Sequence, residues 1–105
     1  LMMNTLITEE LIQLFEHYPI RAQEESDDPL VVAKLFDAYG SASWYLTEYD
    51  KRDQLAFGYV VGLAYDEWGY ISLEELSDVQ HPILGVPRIE RDLYFKQKPF
   101  SELGL

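Results

Sequence analysis

Between Leu30 and Leu73 the chain packs four apolar, β-rich segments into little more than forty residues, and the turns between them leave room for few arrangements. LVVAKLF at 30–36 is apolar and β-branched with Lys34 as its only charge, which predicts a strand buried on at least one face. A turn containing Gly40 separates it from ASWYLTEY at 42–49, where strict alternation assigns Trp44, Leu46 and Glu48 to one face and Tyr45, Thr47 and Tyr49 to the other. Asp50 to Asp53 has the length of a hairpin turn. LAFGYVVGLAY follows as a third strand, with Gly58 and Gly62 marking a bulge, a bend or a close approach by a neighbouring strand. WGYISL at 68–73 reads as a fourth, so the middle of the chain is an antiparallel meander.

Helical signals flank this meander. Thr8 offers a capping hydroxyl to a helix start that Glu9 and Glu10 favour further through the helix dipole. Leu11, Leu14, Phe15 and Tyr18 then recur at helical spacing until Pro19. AQEESDDP at 22–29 has no apolar period and reads as a solvated loop. Ser72 with Glu75 three residues on forms a capping-box pattern ahead of Leu73, Leu76 and Val79, which predicts a short second helix ending before Pro82. HPILGVP is a loop, RIERDLYF alternates as a final strand, and KQKPFSEL predicts a short helical turn after Ser101. The expected architecture is α+β: an antiparallel sheet of four or five strands with an N-terminal helix and a short helix after the fourth strand, in one domain over residues 1–105. Leu1 ahead of Met2 and Met3 is not an ordinary start and is expected to lie outside the fold.

A chain of 105 residues with 48% apolar and 14% aromatic content, and no cysteine, closes its core without disulfides, thiolate zinc sites or a catalytic thiol. No apolar run reaches the ~18 residues of a membrane span, so a cytoplasmic protein without membrane attachment is expected. The net charge is -11, and residues 1–85 carry 16 acids against 4 bases, so the body is acidic while the tail is not. Such a field repels phosphate and disfavours direct nucleic-acid binding; basic protein surfaces are the expected partners.

Five segments resemble a bacterial family known as domain of unknown function 2958: PLVVAKLF at 29–36, WYLTEYD at 44–50, FGYVVG at 57–62, WGYISLEEL at 68–76 and IERDLYFKQKP at 89–99. The resemblance runs from about Leu6 to Leu103, with Tyr49 and Tyr59 among its aromatic variations. It implies a protein of plasmids, conjugative elements and phages, and it carries no activity that can be transferred to particular residues.

Two sets of residues are candidates for function. Glu48 and Asp50 with Glu90 and Asp92 supply hard oxygen ligands for a divalent cation if their two strands are neighbours. Against this stands an Arg91 ion pair that fastens two strands, with the acids solvated. Trp44, Tyr45, Tyr49, Tyr59, Trp68 and Tyr70 are denser than one core face needs, which predicts an outward aromatic surface for a partner or a second copy. His17 and His81 have no neighbouring ligand or acid–base helper, and Ser41, Ser43, Ser72 and Ser77 lie in no nucleophile elbow. No cofactor is expected. The leading expectation is a small acidic, non-enzymatic protein-binding factor of a mobile element that inhibits a host nucleic-acid-binding or defence protein. A metal-dependent enzyme using the carboxylates and a structural homo-oligomer are its alternatives.

Overall fold

A computed structural model describes residues 6–105; the expectation for Leu1, and the first five residues of the expected domain, lie outside the described residues. Helix α1 (Glu9–Leu14) is capped by Thr8, whose hydroxyl accepts the Leu11 N–H at 3.1 Å. It stops before the expected Tyr18, because Phe15 already turns away and residues 15–17 and 20–25 form turns, with the Tyr49 N–H donating to the Tyr18 carbonyl between them.

The meander forms as the pattern demands. Strands β2 (Ala33–Asp37), β3 (Ser43–Asp50), β4 (Leu55–Val61) and β5 (Glu67–Ser72) pair antiparallel in sequence order. Strand β6 (Ile89–Arg91) adds to the free side of β2, giving a five-stranded sheet ordered β5-β4-β3-β2-β6. The expected first strand is broken at Val32: its start, β1 (Leu30–Val31), pairs instead with β7 (Lys98–Pro99) near the end of the chain. The expected last strand is cut to three residues, since Asp92 closes a turn by accepting the Tyr94 N–H. Helix α2 (Leu73–Ser77) follows β5 with Ser72 as its cap, and a 3-10 turn spans Phe100–Leu103.

Both helices lie on one face of the sheet. Leu6, Leu11, Phe15 and Leu73 pack there against Leu35, Trp44, Leu46, Ala56 and Ile71. Full burial of a leucine such as Leu11, Leu35, Leu46 or Leu73 stabilises by about 2 kcal/mol. On the opposite face lie Tyr45, Phe57, Tyr59, Trp68 and Tyr70, crossed at one end by the C-terminal segment.

One expected face assignment is overturned. The β3–β4 register shifts between Leu46 and Glu48, so Thr47 is an extra residue opposite no partner. Such a bulge reverses the alternation beyond it. Glu48 therefore pairs with Phe57 on the aromatic face, away from Trp44 and Leu46, and Tyr49 turns into the core beside Ala56. Opposite the bulge Gly58 is obligatory: a Cβ there would stand 2.2 Å from the Tyr45 carbonyl oxygen and 2.9 Å from the Leu46 Cα.

Candidate functional site

The bulge at Thr47 leaves a backbone carbonyl without a ladder partner, and the loop after α1 supplies one. The Gln23 amide donates to the carbonyls of Thr47 at 2.9 Å and Leu30 at 2.8 Å, while its oxygen accepts the Leu30 N–H at 2.6 Å. This side chain takes the place of a missing strand between β1 and β3. Beside it the Glu48 carboxylate, only 5% exposed, accepts the backbone N–H of Arg21 at 2.9 Å and of Gln23 at 2.7 Å, one on each oxygen. Arg21 has φ of +79°, a left-handed conformation that costs a non-glycine residue about 1–2 kcal/mol. Charge-assisted bonds to a buried carboxylate offset that strain and fix the loop.

A cleft of about 390 Å³ opens where this loop meets the aromatic face. Phe57, Trp68 and Tyr70 form its wall, Glu48 and Thr47 line it on the β3 side, and Arg21, Glu24 and Asp27 rim it. The wall is a connected ring array: Phe57 lies stacked on Trp68 at 6.0 Å between centroids and meets Tyr70 edge-on at 5.2 Å. Trp68 and Tyr70 remain 38% and 62% exposed.

The other half of the same face is covered by the chain's own tail. Phe100 packs against Tyr59 at 5.1 Å and Trp68 at 4.7 Å, and Phe95 meets Tyr45 at 6.5 Å. Two lysines sit over these rings, Lys34 over Tyr45 at 5.5 Å and Lys98 over Phe95 at 5.8 Å. Asp28 holds the tail down, accepting the Ser101 N–H at 2.9 Å and its hydroxyl at 2.6 Å, and these two bonds keep the Asp28 carboxyl below the usual carboxylate range.

The six aromatic candidates thus divide by face. Tyr45, Tyr59, Trp68 and Tyr70 share the outer face, whereas Trp44, 7% exposed, and Tyr49, 4% exposed, belong to the core under the helices. Tyr49 packs on Phe15 at 5.7 Å, its hydroxyl is buried with no hydrogen-bond partner among the described residues, and burial followed by the nearby Asp50 charge raises its pKa. Phe57 and Phe100 complete the outer face without having been singled out. Phe57 was in reach of alternation, being two residues before Tyr59; Phe100 carried no local signal.

The four carboxylates are not brought together. Strand β2 lies between β3 and β6, so the strands that carry them are not neighbours. Glu90 stands level with Phe36 and Ser43, at the opposite end of the sheet from Glu48. Asp50 accepts the Arg52 N–H in the β3–β4 turn, and Asp92 caps its own turn. Among the described residues no three His, Asp or Glu side chains gather as a metal site would require. Arg91 does form an ion pair, yet with Glu10 of α1 at 2.8 Å, which fastens the edge strand to the helix layer where a tie between two strands was expected. His81 accepts the N–H groups of Ile83 and Leu84 through Nδ1, at 3.2 and 3.1 Å, and so shapes the loop before β6; His17 lies exposed after α1. No helix among the described residues is long and apolar enough to cross a membrane.

The model of a family described as protein of unknown function (DUF2958) matches residues 6–103. No curated protein and no solved structure matches the chain.

Proposed function

Since the chain belongs to the DUF2958 family, whose description assigns no activity, we propose from its surface that it is a small acidic, non-enzymatic protein-binding factor. In this reading it works in the cytoplasm for a mobile genetic element and inhibits a host protein by engaging a basic, nucleic-acid-handling site. The observation that carries the proposal is the partly exposed aromatic strip of Phe57, Trp68 and Tyr70, which the tail meets only at Trp68, beside the acidic loop at 24–28. Tryptophan and tyrosine supply large contact area at low entropic cost and are enriched where proteins meet. A net charge of -11 adds attraction for a basic surface and repels a second copy of the same chain.

The test is affinity capture from lysate of a natural host at low and high salt, with wild-type protein beside Tyr70→Ala. Tyr70 is mostly exposed, so its truncation leaves the fold intact. A basic, nucleic-acid-handling protein recovered at low salt, released at high salt and lost with Tyr70→Ala is the expected result. Recovery that ignores the substitution, or no specific protein at low salt, overturns the reading.

A further inference from the structure

Two lysines lie over aromatic rings on the outer side of the sheet. Lys34 lies over Tyr45 and Lys98 over Phe95, which places both on the half of the face that the tail covers. Over Phe57, Trp68 and Tyr70 no lysine or arginine lies among the described residues, although these rings form the wall of the cleft. The charges around that wall are Glu24, Asp27 and Glu48 against Arg21 alone, so the cleft is negative by two. Arg21 is turned to Glu24, Nε to carboxylate at 3.0 Å, in a pair whose side chains are largely exposed. Such a pair is weak and reorganises readily around a second cation.

From this the geometry points to a binding site for a single arginine side chain of a protein partner, its guanidinium laid on the Trp68–Tyr70 wall and its N–H groups directed to Asp27 and Glu24. A guanidinium fits better than an ammonium on two physical grounds. It is planar and more weakly hydrated, so it stacks on an aromatic ring while its edge still donates to carboxylates. The cleft also pairs a flat apolar wall with an acidic rim, and a compact, strongly hydrated lysine head gains less from the wall than a planar guanidinium does. Glu48 supplies charge at the back of the site from a fixed position, since both its oxygens are held by the Arg21 and Gln23 amides. The inference rests on the protein-binding reading and names the group through which the partner is recognised.

The test is a titration of the full chain with N-acetyl-arginine amide, followed by the indole N–H resonances of its two tryptophans. Trp68 reports the cleft, and Trp44, buried on the other face, is the internal control. The expected result is a saturable shift of the Trp68 resonance with Trp44 unmoved. The neutral citrulline analogue should bind at least roughly tenfold more weakly, and the lysine analogue should fall between them. Tyr70→Ala and, as a second and purely electrostatic variant, Asp27→Asn should each weaken the arginine response. No saturable shift, a citrulline response equal to that of arginine, or equal movement of both tryptophans overturns the site. Host-protein capture that persists while arginine gives no response removes this inference alone. An arginine response without any captured protein removes the partner reading and leaves a cation site.

Discussion

Glu48 and Tyr49 are consecutive residues with opposite accounts. Glu48 is a buried charge with both oxygens hydrogen-bonded, and its removal strands two backbone N–H groups beneath the loop. Glu48→Ala is expected to destabilise the protein by about 2–4 kcal/mol, since a buried donor left unsatisfied costs about 1–3 kcal/mol and the left-handed Arg21 loses its anchor. Equilibrium urea unfolding checks this, and no change in the midpoint would show that the loop holds without the carboxylate. Tyr49 is the reverse, a buried hydroxyl with no partner among the described residues. Tyr49→Phe keeps the ring on Phe15 and deletes the unsatisfied group, so a gain of about 1 kcal/mol is expected in the same measurement. A loss would mean that the hydroxyl is bonded after all, through water.

The element that organises the site is the bulge in β3. It sends Glu48 outward, Tyr49 inward and the Thr47 carbonyl to Gln23, and it requires that β4 have no side chain at position 58. The clash in Gly58→Ala is with backbone on the neighbouring strand, which cannot move aside as a flexible side chain does. The expected cost is about 3 kcal/mol, at the upper end for overpacking, with the β3–β4 amides losing hydrogen-exchange protection first. Unchanged protection across those strands would contradict the β3–β4 register.

At the scale of the whole molecule, polar contacts through Arg88 tie one end of the sheet to distant chain. Arg88 Nε donates to both Asp37 oxygens, at 2.8 and 3.0 Å, across 51 residues of sequence and holds the loop before β6 on the end of β2. Burial alone raises the Asp37 pKa, but the Arg88 hydrogen bond and charge together with the Tyr39 N–H outweigh it and hold the carboxyl below its ordinary value. A depressed carboxylate contributes stability that is complete above the unfolded pKa of about 3.9 and is lost as pH falls through the lower folded value. Asp37→Asn should therefore be less stable than wild type at neutral pH and show a shallower loss of stability below about pH 4. Thermal unfolding across that range checks both signs, and parallel pH curves for the two proteins would remove Asp37 from the acid transition.

Periodicity and capping rules were enough for the elements whose partners are near in sequence. Thr8 and Ser72 cap the helices they were expected to cap, and the meander from β2 to β5 pairs in chain order, because each of these features is closed by residues a few positions away. The density of aromatics pointed to an outer face, and four of the six residues named for it lie there. What sequence could not supply depends on contacts made across the fold. Gly58 marked a bulge, a bend or a close approach, but nothing in the alternating string of β3 places the extra residue at Thr47, so Glu48 and Tyr49 were assigned to the wrong faces. The pairing of β1 with β7 and the seating of Phe100 on Trp68 join segments far apart in the chain, and no local pattern encodes them. The cleft itself exists only because a loop near residue 23 repairs a defect in a strand near residue 47, and that match of donor to acceptor is decided when the tertiary structure closes.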